Sequence, residues 1–265
     1  MKLTRIVPAL VATAVLALSA CSGGATPASG DNALDQVKKA GVLKVGTEGT
    51  YAPFTFHDPK TNELTGYDVE VIEAVAEKLG VKAEFSETKW DAIFAGLEAK
   101  RYDVVANEVS VNDTRKEKYD LSDPYSVSYP VVIVKSDNAA VTSLDTVTGK
   151  KAAQTATSNW AQFAKDAGAE VVPVDGFTES VAAVRDGRVD LAFNDNLAAL
   201  EYFATTKDDS VKVAFELTDE KVVQAFALRK DSGLVEAINT ALGELASEGK
   251  LAEIGEKYFG QDISK

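Results

Sequence analysis

Strand-like runs alternate along this chain with helix-spaced apolar stripes, and the alternation predicts an α/β fold of βα units around mostly parallel sheets. Two further observations support that class. Trp90, Ile93, Phe94 and Leu97 fall at i, i+3, i+4 and i+7, and Leu234, Ile238, Ala241 and Leu245 form a similar stripe near the C-terminus, so both mark buried helix faces. In addition, KRYDVVAN at 100–107 and GRVDLAFN at 187–194 each follow a helix and match at Arg101/Arg188, Asp103/Asp190 and Asn107/Asn194, an offset of 188 − 101 = 87 residues. Such an echo suggests two lobes of related build, each ending a strand toward a common cleft, although short helix–strand patterns also recur by chance.

The elements follow in chain order. Lys2 and Arg5 precede an apolar run from Ile6 to Leu18, and LSAC at 18–21 closes it with small residues before a cysteine. Residues 1–20 therefore read as a lipoprotein-type signal peptide, with Cys21 as the lipidation site. The run falls short of the roughly 20 apolar residues a membrane span needs. Cys21 is the only cysteine, so it can form no internal disulfide. Acyl chains on it would contribute about 0.8 kcal/mol per buried methylene to a membrane tether. Residues 22–33, SGGATPASGDNA, are small and polar and make a flexible leash. Strands are expected at 43–46, 81–85, 103–106, 151–154, 170–173, 189–193 and 222–228.

Composition narrows the function. About 230 residues follow the leash, enough for two modest cores. The formal charge is −13, and loss of Lys2 and Arg5 makes it −15, since −13 − 2 = −15. An acidic chain with no basic stripe is a poor match for nucleic acid. No metal-ligand spacing, cofactor motif or nucleophile–base pair is visible, and the single histidine, His57, sits beside Asp58 and Pro59 as a solvated turn residue.

Residues 103–125, DVVANEVSVNDTRKEKYDLSDPY, carry the pocket signal. A short apolar strand ends in turn formers, and Arg115 follows, where open α/β sheets bind ligands. A guanidinium grips a carboxylate through two parallel charge-assisted hydrogen bonds. The alternative is a solvated arginine in a run with Lys116 and Lys118. Tyr51 and Phe54 could wall a ligand or plug the sheet edge, and Asn107, Glu108 and Ser110 could line a pocket or solvate a turn. QTATSNW at 154–160 leads from strand to helix and offers either an anion-friendly helix end or an ordinary N-cap. Asp195 reads as a helix N-cap.

These segments, with GTEGTYAPFTF at 46–56, TGYDVEV at 65–71 and YDLSDPY at 119–125, resemble the extracytoplasmic amino-acid-binding proteins of ABC importers, solute-binding protein family 3. The resemblance runs from Leu34 to the end and lies nearest the cystine-binding branch. It implies a two-lobed, type II periplasmic-binding-protein-like fold with a cleft between lobes and two β-strand crossings, near 129–134 and 222–227. Lobe 1 would take 34–128 and 223–265, and lobe 2 would take 129–222. By the same resemblance Arg115, the Ser110 amide and Ser158 hold a ligand carboxylate, and Asp195 binds the α-ammonium. Tyr51 and Trp90 wall the pocket, Asn107 and Glu108 line lobe 1's face, and Thr157 and Asn159 line lobe 2's face. Glu48 occupies a position that contacts ligand side chains. Glu108 departs from the small residue many relatives carry, and a carboxylate in a cleft costs desolvation unless a cation meets it. Both glutamates thus favour a second positive group, as in cystine, arginine or lysine, while a protonated glutamate would also accept an amide such as glutamine.

The expected protein is a lipid-anchored, extracytoplasmic monomer whose partners are an amino acid, an ABC permease and its ATPase. It carries no catalytic residue, cofactor or metal. The rival class is an enzyme, since some periplasmic dehydratases share the fold and Glu48 or Glu108 could act as a general acid. A sensory domain would need a separate signalling partner.

Overall fold

The computed structural model describes residues 32–265; the signal peptide, Cys21 and most of the leash lie outside the described residues. Helix α1 (Ala33–Ala40) begins where the Asn32 side chain accepts the Asp35 amide at 2.9 Å and ends at Gly41, whose φ of 70° is left-handed. The chain continues through β1 (Val42–Thr47), β2 (Thr50–Tyr51), β3 (Thr55–His57), β4 (Leu64–Thr65), α2 (Tyr67–Lys78), β5 (Lys82–Glu87) and α3 (Trp90–Glu98). Next come β6 (Val104–Val105), α4 (Asp113–Lys118), β7 (Tyr119–Leu121), β8 (Ser126–Ser128), β9 (Pro130–Lys135), β10 (Lys151–Gln154), α5 (Asn159–Asp166), β11 (Glu170–Pro173) and α6 (Phe177–Arg185). The remainder is β12 (Leu191–Asp195), α7 (Asn196–Thr206), β13 (Val211–Glu216), β14 (Val222–Gln224), β15 (Ala227–Arg229), α8 (Val235–Ser247) and α9 (Lys250–Phe259).

Two five-stranded sheets organise these elements, in orders β5-β1-β6-β15-β7 and β11-β10-β12-β9-β13. Each is parallel across its first three strands and antiparallel across its last two. The expectation of mostly parallel sheets is thus half met. In each sheet only the fourth strand, β15 or β9, runs opposite to the other four, and that one reversed strand makes both of the last two pairings antiparallel.

The internal echo maps onto the two central strands, β6 and β12, and the structure explains its residues. Asp103 gives its amide to the Lys44 carbonyl at 2.8 Å and accepts the Lys44 amide on its carboxylate at 3.2 Å. Asp190 does the same with Lys151, at 2.9 and 2.8 Å. Each aspartate clips the first parallel strand to the central one, a job that needs an acceptor two atoms from the backbone. The Arg101 and Arg188 amides close the preceding helices onto Gly96 and Ala183 at 3.0 and 2.9 Å.

Packing follows the predicted stripes. Trp90, Ile93 and Leu97 bury one face of α3 while Phe94 stays half-buried, and Ile238, Ala241 and Leu245 bury the face of α8. Pro130 to Val134 are all buried because β9 has sheet on both edges and helices on both faces. Each such fully buried aliphatic side chain contributes about 1.5–3 kcal/mol. Phe54, left open by the sequence, is a core residue with its ring 5.7 Å from Phe259 and 5.1 Å from Tyr51.

Two expectations about the chain path need correction. Residues 129–134, expected to cross between lobes, instead form most of the inner strand β9, because an apolar β-branched run looks the same in a crossing or a buried strand. The single strand expected at 222–228 is broken into β14 and β15, with Ala225 and Phe226 between them. The crossings form a two-stranded antiparallel ribbon in which Val222 faces Ser128 and Gln224 faces Ser126. Its polar side chains, Ser126, Ser128 and Gln224, are buried and hydrogen-bond one another at 2.7–3.0 Å. The tail joins in, the Val127 amide donating to the Ile263 carbonyl at 2.8 Å. Beside the ribbon Tyr125 and Phe226 stack with centroids 4.3 Å apart. His57 is not in a turn; it ends β3 and pairs with Glu87 at 3.0 Å.

Candidate ligand-binding site

The strand ends of the two sheets face one another, and two adjoining cavities lie between them. The inner cavity holds about 40 Å³ and is lined from the first sheet's side by Glu48, Tyr51, Trp90, Asn107 and Glu108. Thr155, Ser158, Asn159, Phe177 and Asn194 line it from the other side. The outer cavity, about 520 Å³, has Arg115, Phe94 and Lys118 on one wall and residues 156–159 on the other.

Arg115 is held in place by its own helix start. The Asn112 side chain caps α4 by accepting the Arg115 amide at 2.9 Å, and the guanidinium Nη1 donates to the Ser110 carbonyl at 2.7 Å. The guanidinium lies over Trp90 and Phe94, 5.1 and 5.5 Å from the ring centres. It is only 6% exposed, and among the described residues no carboxylate pairs with it. Burial draws its pKa down to about 10. Ser110 bridges to Gln224, and that bridge uses the Val109 carbonyl and the Val111 amide, so the Ser110 amide itself points to the opposite side. Ser110 lines neither cavity.

Facing these residues is a set of acids without cations. Glu48 and Asn107 clasp each other, Asn107 Nδ2 donating to Glu48 Oε2 at 2.6 Å and the Glu48 amide donating to Asn107 Oδ1 at 2.7 Å. Burial pushes the Glu48 carboxyl up to about 7. Glu108 sits at φ 49°, left-handed for a residue with a side chain, and accepts from the Ser126 hydroxyl at 3.2 Å. Its backbone amide donates to the Asp68 carboxylate. Burial first, then the neighbouring carboxylates Asp68 and Asp195, push Glu108 up. Asp195 caps α7 by accepting the Ala198 amide at 2.8 Å, and it also receives the Tyr51 hydroxyl at 2.7 Å. That hydroxyl lies 2.7 Å from Asn194 Oδ1 as well, so one proton serves two acceptors. Asp195 is 1% exposed, and burial raises its pKa.

On the second sheet's side, Ser158 is the N-cap of α5, accepting the Ala161 amide at 3.0 Å and donating to the Thr155 carbonyl at 2.9 Å. Thr157 is turned to the other lobe, its amide and hydroxyl both donating to Asp91 Oδ1, at 3.1 and 2.6 Å. Asn159, the first residue of α5, lines both cavities. Arg115 and Asp195 make no direct contact: the guanidinium faces the outer cavity and the aspartate is covered by Tyr51.

Sequence reasoning did not single out Asp68, Asp91, Phe177 or Asn194. Asn194 was within reach, since the echo already equates it with Asn107. Asp68 and Asp91 both read as ordinary first-turn acids of a helix. Gly66, just before Asp68, has φ 134°, and a Cβ there would strike the Phe54 backbone, which accounts for the glycine of TGYDVEV. Among the described residues no acidic, histidine or cysteine group could hold a metal ion, and no helix is long and apolar enough to cross a membrane.

Residues 43–261 match the model of the bacterial extracellular solute-binding proteins, family 3. The chain belongs to that family. It is 49% identical over 257 residues, 95% of each chain, to the L-cystine-binding protein TcyA of Bacillus subtilis (strain 168). Among solved structures, the unliganded open L-cystine solute receptor of Neisseria gonorrhoeae is 45% identical, with 88% of this chain and 98% of that one covered and a TM-score of 0.58. An ancestral arginine-binding protein bound to arginine is 37% identical, with 83% and 99% covered and a TM-score of 0.77. The fold is thus the two-lobed one of solute-binding proteins, and these relatives are named as binding proteins and a solute receptor, not as enzymes.

Proposed function

We propose that this chain is a lipid-anchored, monomeric binding protein that captures a polar amino acid with a second positive group, L-cystine foremost, and delivers it to an ABC permease. The observation that carries this reading is the set of unpaired opposite charges in the cleft. Among the described residues Arg115 is buried without a carboxylate, while Asp195 and Glu108 are buried and Glu48 half-buried without a cation. Burying either sign alone is costly, and a zwitterion relieves both costs at once.

In this reading lobe 1 spans 34–128 and 223–265, and lobe 2 spans 129–222. Arg115, the Ser110 amide and Ser158 hold the α-carboxylate, and Asp195 takes the α-ammonium once Tyr51 swings aside. Tyr51 and Trp90 then flank the ligand, with Asn107, Thr157 and Asn159 on the walls and Glu48 and Glu108 meeting the second cation. A 40 Å³ inner cavity admits only a few waters, so the lobes must part for entry. The Tyr51–Asp195, Asp91–Thr157 and Lys89–Asp175 bonds join them, which supports a closed arrangement. So does the higher TM-score against the arginine-bound relative than against the more identical open receptor. Ligand shifts an open–closed equilibrium by its differential affinity, and a permease would recognise the closed form.

Cystine is favoured by the relatives named for it, TcyA and the Neisseria receptor. A basic amino acid is the second reading, favoured by the arginine-bound relative. Thermal-shift assays and calorimetry with L-cystine, L-arginine, L-lysine and L-glutamine decide between them. At a hundred times Kd a ligand stabilises by about 2.7 kcal/mol, a shift of several degrees. A flat response to all four would remove the reading. The anchor is checked separately: Cys21→Ser should move the protein from the membrane to the soluble extracytoplasmic fraction.

A further inference from the structure

The acids behind the pocket are joined in a way the binding of an ordinary zwitterion does not use. Asp68, in the first turn of α2, is 0% exposed, and Glu108 is 6% exposed. The Asp68 carboxylate takes the Glu108 backbone amide, which holds Glu108 in its left-handed conformation and sets the two buried carboxyl groups side by side, each acting on the other. Two carboxylates in contact cannot both stay ionised in a buried site, and one proton between them turns repulsion into a hydrogen bond. Asp68 Oδ1 makes no well-formed hydrogen bond, and the neutral Tyr125 hydroxyl beside it can donate to Asp68 but brings no positive charge.

The surroundings are all of one sign. Tyr67 and Tyr125 act on the pair from α2 and from the segment before the ribbon, Asp195 acts from the start of α7, and Tyr51 and Glu48 share the first sheet's side of the inner cavity with Glu108. Ser126 donates to Glu108 Oε1 at 3.2 Å from the ribbon. No lysine, arginine or histidine figures among the groups acting most strongly on either carboxyl. Glu108 reaches the cavity wall and Asp68 does not, so the pair runs from the ligand's side inward.

We propose that Asp68 and Glu108 share one proton in the empty cleft and that a ligand presenting a second cation to Glu108 expels it, so that capture of a dicationic amino acid is coupled to proton release. This rests on the amino-acid-binding reading above and names its specificity device. The ligand's cation takes the place of the departing proton, which passes to solvent. Burial first, then the neighbouring carboxylates, holds both groups above the usual carboxylate range, so the shared proton persists at a pH where an exposed carboxyl has lost it. A ligand whose only cation is its α-ammonium, held by Asp195, leaves the shared proton largely in place.

Calorimetry in phosphate and in Tris, buffers of different ionisation enthalpy, counts the protons. With the full chain at pH 6.5–7.5, L-cystine or L-arginine should release between about half and one proton, and L-glutamine clearly less. Affinity for the dicationic ligand should fall as pH is lowered, approaching tenfold per unit for each proton displaced. Difference infrared spectra of the wild type should show a protonated-carboxyl band lost on adding that ligand, and Glu108→Gln or Asp68→Asn should lack the change. Binding of L-cystine or L-arginine without proton release or band loss overturns the proposal and leaves the amino-acid reading intact. So does equal release with all three ligands, or unchanged release in Glu108→Gln. No binding of any of the three overturns both.

Discussion

Replacing Arg115 by alanine should abolish high-affinity binding while sparing the fold. Only Nη1 of the guanidinium is committed, to the Ser110 carbonyl at 2.7 Å, so its other donors remain for a ligand carboxylate. Two charge-assisted bonds at about 1.5–3 kcal/mol each give a loss of roughly 3–6 kcal/mol, between about a hundredfold and ten-thousandfold in Kd. Stability responds to two opposed effects. Removing the cation from above Trp90 and Phe94, at 5.1 and 5.5 Å, costs about 0.5–2 kcal/mol. Removing a charge whose burial draws its pKa down to about 10 relieves a desolvation penalty, about 1.4 kcal/mol for each unit it is drawn down, which more than offsets that cost. The ligand-free melting temperature should therefore move by only a few degrees. Arg115→Lys keeps the charge but loses the planar fork and should retain part of the affinity. Titration calorimetry of the three proteins against the best ligand decides the matter. Arg115→Ala binding within threefold of wild type would refute the assignment, and an unfolded ligand-free variant would refute the stability argument.

Tyr51→Phe removes the hydroxyl 2.7 Å from Asn194 and Asp195, leaving a buried acceptor unserved in the closed form. That costs about 1–3 kcal/mol, so the ligand-free variant should open and its radius of gyration by X-ray scattering should rise; identical scattering contradicts the closure role. Asp91→Ala strips two bonds from Thr157, whereas Lys89→Ala breaks an ion pair whose side chains are 71% and 68% exposed. Ligand affinity should fall several-fold in the first and stay nearly unchanged in the second, because exposed pairs contribute about 0–1 kcal/mol. Glu48, lifted by burial from 4.5 to about 7, binds its proton more tightly folded than unfolded. Its contribution is fully present below pH 4.5 and is lost as pH rises through about 7. The ligand-free Glu48→Gln variant should therefore lose less stability than wild type between pH 5 and pH 8 in thermal melts.

Much of the fold could be read because periodicity survives burial: 151–154 and 170–173 carry the strand pattern with clear turn boundaries and are strands in the structure. The three small strands β2, β3 and β4 could not be, since two or three residues hold no period. The first crossing was misplaced because 126–128 is short and serine-rich, whereas the neighbouring apolar 129–134 offered a better β signal; the second does include 222–224, within the range expected for it. Arg115 stood out by residue type, since an arginine after a buried strand has few cheap roles. Asp68 and Asp91 did not: an acid in a helix's first turn has the same local cause whether it faces solvent, the other lobe or a second carboxyl. That information lies in the tertiary arrangement.

The hydrogen bond from Val127 to Ile263 makes the chain's tail a third edge of the connecting ribbon, a stiffener for the rocking of one half against the other. A fluorescent sensor built on this scaffold should carry its dyes on exposed loops such as 59–62 and 148–149 and leave the tail unloaded. Tension applied to that end would bend the gauge itself and be read as a concentration.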